Sequence, residues 1–507
     1  MEHTLAQYTI RSKQEYIFRS NRVAEIMGAS ENISRSWDIL YAQAEKTGKK
    51  VRRLRQQDGF DINEAIEAFE SGRVHMIELF CGGGNDTVLF DSWKSFCEVN
   101  MAFSRCLLEK FPGMIPMAVG VEYTGDYQYD YASLMEEADR EKNCMISGQS
   151  SFILPFSMMD RNTFQPYSRV FQYRNGQVRM TEESYSKRIR GWKISREDPD
   201  TRLLDNIVTQ KGEESLLAVV HADGNNMGIK ISRMLKGKTD YNFCISKMRQ
   251  FTADTANAFT VEGLQAMQEC REQLRKKYFD KYQDNAFLYR KIIADGDDMT
   301  FICNARFAME YVTSYLKSVQ NYQERHGTEW EYSSCAGICI FHGHYPFARA
   351  YLMAEQACDS AKEMVHGSKA IPVEEGWADF HYIHSGIGGN LDSIREDQGT
   401  ANCMARPWRI SGDSDEKDER SYKRLQKLDR LLREYSVSRS DIKTVGSECE
   451  SGFSYGEREL NRIYGHHDGL RKAMEAEYPD RKQLLRIWYD LSEMYDLWFK
   501  EADTWNI

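Results

Sequence analysis

Two stretches decide how this chain is read: LLAVVHADGNNMG at 216–228 and LYRKIIADGDDMTFIC at 288–303. The first is an apolar run broken by Asp-Gly, the pattern of a strand that ends in a turn. The second is two apolar runs around ADGDD, and Asp-Gly between such runs is a strong hairpin signal. Between them, apolar spacing from Phe243 to Lys277 predicts a long helix. A helix over 305–320, a strand over 336–341 (AGICIF) and a helix over 346–364 follow. Strand, helix, hairpin, helix, strand is the βαββαβ order of a ferredoxin-like sheet.

The same order stands earlier in the chain. TLAQYTI at 4–10 reads as a strand, followed by a polar helical stretch. VHMIELF at 74–80 and TVLF at 87–90 flank CGGGND at 81–86, a second hairpin pattern. Trp93, Phe96, Val99, Phe103 and Leu107 have helical spacing, and IPMAVGVE at 115–122 reads as a strand. A whole domain is therefore repeated. The expected fold class is α+β, with two ferredoxin-like palm domains, a connector and a helical C-terminal domain. The expected boundaries are 1–143, 144–212 (rich in Ser, Arg, Asn and Gly), 213–385 and 386–507. In the last region Leu425, Leu428, Leu432 and Tyr435 share a helix face. Leu484, Trp488, Leu491, Tyr495 and Trp498 share another.

Composition narrows the function classes. The chain has 507 residues, enough for several domains, and 41% hydrophobic residues, which excludes a wholly disordered protein. Its net charge of −10 makes it a poor generic binder of nucleic-acid backbone. No run approaches a membrane span, so no membrane partner is expected. The 12 cysteines form no C-x-x-C pair, which suits reduced thiols and a cytoplasmic setting.

Three carboxylates carry the expected chemistry. Asp223 ends the first strand of the second repeat, and Asp297 and Asp298 sit in its hairpin turn. In βαββαβ topology those strands are neighbours, so the three converge at one strand end. Clustered carboxylates repel unless a cation neutralises them. Mg²⁺, or Mn²⁺ in its place, is the expected metal, with Asp223, Asp297 and Asp298 as catalytic and metal-holding residues. The turn Gly224, Asn225, Asn226, Met227 and Gly228 is expected to present backbone N–H groups to a triphosphate. Lys362 and, second, Lys369 are the expected phosphate-binding lysines. Asp-Gly alone is a plain turn signal; the ordered conjunction with a lysine at a helix end gives it weight.

These residues resemble a known family, the large palm-domain subunit of type III CRISPR effector complexes (the Csm/Cmr large subunit). DGNNMG at 223–228 and DGDD at 295–298 resemble its DGDNMG and GGDD motifs. AGICIFHGHYPFARAYLMAEQACDSAKE at 336–363, DFHYIHSG at 379–386, SIRE at 393–396 and ARPW at 405–408 follow in its order. KQEYIFRSNRVAEIMGAS at 13–30 and GGGND at 82–86 resemble its first palm. The resemblance spans 1–410. It implies a nucleotidyl cyclase in the second palm and a non-catalytic first palm, facing each other around a nucleotide pocket. Asp223 matches the first metal Asp, Asp297 and Asp298 the two of GGDD, Gly296 its second Gly, and Lys362 the lysine of its AK element. Asn225 replaces an Asp and puts a second metal in question; Asp295 replaces the first Gly. The family's HD nuclease and zinc-binding cysteine pairs are expected to be lacking, with Cys144 a remnant or a packing thiol.

The expected function is a Mg-dependent nucleotidyl cyclase or transferase, making a cyclic or oligomeric nucleotide messenger from nucleoside triphosphates, ATP first, in antiviral defence. The alternative is a weak or inactive nucleotide- or RNA-binding scaffold of a ribonucleoprotein. A GGDEF-type homodimeric cyclase stands third, disfavoured by the internal duplication. RNA, ribonucleoprotein subunits and a second copy of the chain are the other expected partners. His467-Asp468 reads as a surface feature. Lys423, Arg424, Lys427, Arg430 and Arg433 read as a solvated basic face rather than an RNA or subunit contact.

Overall fold

The computed structural model describes residues 3–20, 22–54, 59–82, 84–145, 156–160, 163, 165–173, 176–197, 216–282, 284–343, 345–366, 374–384, 389–411 and 420–499. The chain divides into two compact units. One comprises Met1–Leu204, Met227–Thr260 and Ile292–Asp298; the other comprises Asp205–Asn226, Val261–Lys291 and Met299–Ile507. The sequence-based boundaries are continuous segments, whereas these units interleave along the chain.

The first sheet contains β1 (Thr4–Arg11), β2 (Val51–Arg52), β3 (Met76–Gly82), β4 (Asn85–Phe90) and β5 (Ile115–Glu122), ordered β2-β3-β4-β1-β5. β1 runs antiparallel to both β4 and β5, with Tyr8 opposite Asp86 and Ala118. Without β2, this is the expected βαββαβ sheet. Helices Trp93–Lys110 and Tyr127–Cys144 pack on it. Phe96, Val99, Phe103 and Leu107 are buried at i, i+3, i+7 and i+11, as their spacing predicts. Within 144–212 lie a hairpin, β6 (Arg169–Tyr173) with β7 (Gly176–Met180), and the helix Glu182–Glu197.

The second sheet contains β8 (Leu216–Gly224), β9 (Tyr289–Asp295), β10 (Asp298–Asn304), β11 (Ser334–His342), β12 (Gly376–Tyr382) and β13 (Trp408–Ser411). Their order is β13-β12-β11-β8-β10-β9. The core order β11-β8-β10-β9 repeats β5-β1-β4-β3 of the first sheet. β13 pairs with β12, so strand structure reaches past residue 385, where the sequence reading ends this palm. β8 and β11 are buried almost throughout, because helix Phe347–His366 covers them. Gly337 of β11 allows that close approach, since a Cβ there would collide with the Ala354 carbonyl.

Helices Tyr422–Glu434, Arg439–Ser451, Phe453–His466, Asp468–Glu477 and Arg481–Met494 form the expected C-terminal helical region. Leu425, Leu428, Leu432, Leu484, Trp488 and Leu491 are buried, confirming both helix faces. A buried ion network ties this region to the sheet. Asp379 of β12 accepts from Arg395 at 2.9 Å and lies 3.5 Å from Arg406, which also pairs with Asp490 at 2.8 Å and Glu493 at 2.6 Å. Removing one member of such a network leaves a buried charge uncompensated. Among the described residues, no helix is long and apolar enough to cross a membrane.

Candidate functional site

The second hairpin closes with a two-residue turn, Gly296-Asp297, between Asp295 of β9 and Asp298 of β10. Gly296 has φ +61°, a left-handed conformation that glycine adopts without the Cβ penalty. The turn leaves Asp295 exposed and Asp297 and Asp298 partly exposed. All three line a cavity of about 490 Å³, with Ser12, Lys13, Glu15 and Ser30 among its other walls. Lys13 is the cation of this cavity. Burial pulls its amine below the ordinary lysine range, while Asp295 and Asp298 pull the other way.

In the second sheet, β8 delivers Asp223 and Gly224 to the strand end. Met299 pairs with Ala222, so β10 leaves its turn beside the residue that precedes Asp223. The Asp223 carboxylate forms an ion pair with Lys362 of helix Phe347–His366. Lys362 Nζ also donates to the Gly224 carbonyl at 3.2 Å. Burial opposes the Lys362 ammonium, but Asp223 outweighs it and holds the pKa above the ordinary lysine value. His221, on the same strand, is pushed down to about 4 by burial and is neutral at pH 7.

Asn225 is fully buried and does not act as an open ligand position. Its Nδ2 donates to Ser333 Oγ and to the Glu375 carbonyl, both at 2.8 Å. Its backbone N–H donates to the Ser333 carbonyl at 2.9 Å. Asn226 takes φ +59° and donates to Glu374 at 2.9 Å; Ser333 Oγ donates to the other Glu374 oxygen at 2.8 Å. The turn after β8 is therefore clamped by hydrogen bonds to residues more than a hundred positions away. Met227 and Gly228 open the helix Met227–Leu235. Lys369 lies outside the described residues.

The structure thus places Lys362 on Asp223, and Asp297 and Asp298 with Lys13 around one cavity. Lys13, Ser333 and Glu374 escaped the reading of the sequence. Lys13 had a signal, since it begins the KQEYIF stretch, but nothing local tells that it meets a hairpin 280 residues on. Among the described residues, no group of three or more His, Cys, Asp or Glu side chains is arranged to hold a metal ion. Lys362 pairs with Asp223, and Lys13 shares a cavity with Asp297 and Asp298.

Residues 216–370 match the family model for Cas10/Cmr2, second palm domain. No curated protein matches the chain. Similar solved structures include a Csm1–Csm4 cassette in complex with cA4, 11% identical, with 86% of this chain and 62% of that chain covered and a TM-score of 0.43. The cassette in complex with AMPPNP is 12% identical, with 86% and 62% covered and a TM-score of 0.44. The cassette in complex with pppApA is 12% identical, with 96% and 69% covered and a TM-score of 0.45. The chain spans about three fifths of the length of the first two. At such scores the assignment rests on the family model and the motifs inside it. The resemblance to the type III large subunit is borne out there, in the match of 216–370 to the second palm domain of Cas10/Cmr2.

Proposed function

We propose that this chain is a nucleotidyl cyclase or transferase that joins nucleoside triphosphates, ATP first, into a cyclic or oligomeric product. The observation that carries the reading is the DGDD hairpin, whose turn carboxylates open into a cavity instead of packing away. The family model over 216–370 supports it.

The donor set suits Mg²⁺ or Mn²⁺. Asp223, Asp297 and Asp298 offer hard oxygen ligands, and Mg²⁺ is commonly held by one or two carboxylates plus substrate phosphates rather than by an all-protein cage. When bound, the metal would supply electrostatic stabilisation of the charge that builds on the transferring phosphate. Asp297 and Asp298 would hold it at the hairpin. Lys362 exchanges its Asp223 partner for a phosphate oxygen when substrate enters. Lys13 supplies a positive charge in the hairpin cavity. The 3′-hydroxyl oxygen of one nucleotide attacks the α-phosphorus of another, the bond to pyrophosphate breaks, and the hydroxyl proton passes to solvent. Alignment and electrostatics carry the step, with no dedicated base.

The test is mass spectrometry of the products formed from all four nucleoside triphosphates with Mg²⁺ or Mn²⁺. A new oligonucleotide or cyclic mass that depends on Asp297 and Asp298 supports the reading. Binding of nucleotide without any such mass, with and without cell or phage lysate as activator, overturns it. The second reading is then a nucleotide-binding scaffold without turnover, favoured by the role of Asn225 as a buried clamp instead of a ligand.

A further inference from the structure

The basic stretch at 423–430 does not simply face water. Lys423, Lys427 and Arg430 of helix Tyr422–Glu434 line a cavity of about 550 Å³, together with Lys277 and Lys317 from helices Gly263–Tyr278 and Ala308–Gln320. Arg424, counted with them in the sequence, is buried instead and donates to the Glu477 carbonyl at 3.0 Å. Of the five lining cations, Lys427 pairs with Glu477 at 2.6 Å. Lys317 and Lys423 lie near enough to repel: burial, and Lys423 beside it, pull the Lys317 amine below its ordinary value.

The floor is polar and incompletely satisfied. Tyr422 is 6% exposed, and Glu310 has one buried carboxyl oxygen. Among the described residues, nothing hydrogen-bonds to Tyr422 Oη or Glu310 Oε2. Buried polar atoms are seldom left so, because each has lost its bonds to water without a replacement. Both line the cavity.

We propose that this cavity is a binding site for a small phosphorylated ligand of nucleotide size, separate from the hairpin site. Five lining cations, one of which (Lys427) pairs with Glu477, against the single lining carboxyl of Glu310 leave an excess of positive charge. That excess calls for a ligand with several negative charges, which a di- or triphosphate carries and a simple carboxylate does not. The volume lies in the range of small-molecule sites, whereas binding a nucleic-acid strand needs a groove that tracks its backbone. Tyr422 and Glu310 at the floor supply the hydrogen bonds that fix orientation. Burial raises the Glu310 carboxyl to about 7, with Lys277 opposing, so near neutral pH it can donate as well as accept. Cys270 of helix Gly263–Tyr278, Cys303 of β10 and Tyr422 also face it. Burial holds all three above their ordinary values, leaving Glu310 and Lys277 as the groups that set the charge there.

The experiment is photolabelling of the full-length chain with 8-azido-ATP, followed by peptide mapping. Label is expected on peptides containing Tyr278 or Tyr422. It should fall about tenfold in the Lys423→Glu/Arg430→Glu variant, both residues being exposed, while label near residues 295–298 persists. Tyr422→Phe, which removes only a hydroxyl, should weaken labelling without altering the melting curve. Wild-type labelling should weaken about tenfold from pH 6 to pH 8 as Glu310 ionises, and Glu310→Gln should flatten that dependence. No label on these peptides, label indifferent to the charge reversal, or label displaced by single-stranded RNA but not by ATP would each overturn the proposal.

Discussion

Asn85-Asp86 in the first sheet and Asp297-Asp298 in the second stand at corresponding hairpins of the same strand order, yet their carboxylates lead different lives. Asp86 is fully buried and accepts a hydrogen bond from Tyr41. Burial pushes its pKa up to about 8, against the pull of Tyr41, so it is protonated at neutral pH. Asp297 and Asp298 keep contact with solvent in a cavity that also holds Lys13. The strand that runs beside each hairpin differs too. β1 ends in Ile10-Arg11, whereas β8 ends in Asp223-Gly224 with Lys362 beside the carboxylate. Topology fixes where a carboxylate stands. Whether it is a neutral packing group or a carboxylate open to a cavity depends on what covers it.

Substitutions at four positions break or sharpen that contrast. The largest effect is expected from Asp223→Asn, which removes a charge but little volume. Product formation should fall by about 10²–10³-fold, measured as initial rate at saturating ATP. A rate within twofold of wild type would remove Asp223 from the mechanism. Lys362→Ala should cost less, about 10–100-fold, with part of the activity returned in Lys362→Arg. Because Lys362 neutralises Asp223 in the free chain, the alanine variant should also show a raised requirement for divalent metal.

Asn225→Asp tests whether the missing motif carboxylate matters. If Asn225 were a lapsed metal ligand, aspartate would raise activity. The hydrogen bonds to Ser333 and the Glu375 carbonyl predict the opposite, because a carboxylate cannot donate to that carbonyl. Denaturant titration should show a loss of about 1–3 kcal/mol.

Asp86→Asn should leave product formation unchanged and alter only the pH dependence of stability. The unfolded carboxyl ionises near its ordinary value, while the folded one keeps its proton to about 8. Between those values the folded state binds more protons, so stability falls as pH rises through the window. Melting temperatures at pH 5 and pH 8 should differ more in wild type than in the variant, by about 2–4 °C. An equal difference in both would place the pH dependence elsewhere.

The duplicated fold was legible because its signals are local. Apolar strands, a Gly-Asp or Gly-Asn turn and helical spacing each occupy a few consecutive residues, and the two sets repeat in order. Asp223, Asp297, Asp298 and Lys362 stand in equally local motifs, and the structure adds that Lys362 pairs with Asp223 while Asp297 and Asp298 line one cavity. What escaped the sequence depends on partners far along the chain. Tyr41 converts Asp86 into a packing group from 45 positions away. Ser333 and Glu375 turn Asn225 into a clamp from 108 and 150 positions away. The 423–430 face was read as solvated because periodicity reports one helix at a time, whereas Lys277 and Lys317 come from two others. β13 escaped because four residues carry too little pattern to mark a strand.

The central claim is that the second hairpin, and not the first, does the chemistry. It is tested most directly by the rate of pyrophosphate release from ATP with Mg²⁺, measured side by side for wild type, Asp86→Asn and Asp297→Ala/Asp298→Ala. The account predicts equal rates for the first two and loss to background for the third. Pyrophosphate release that survives in the double variant, or that is lost in Asp86→Asn while the chain stays folded, would contradict it.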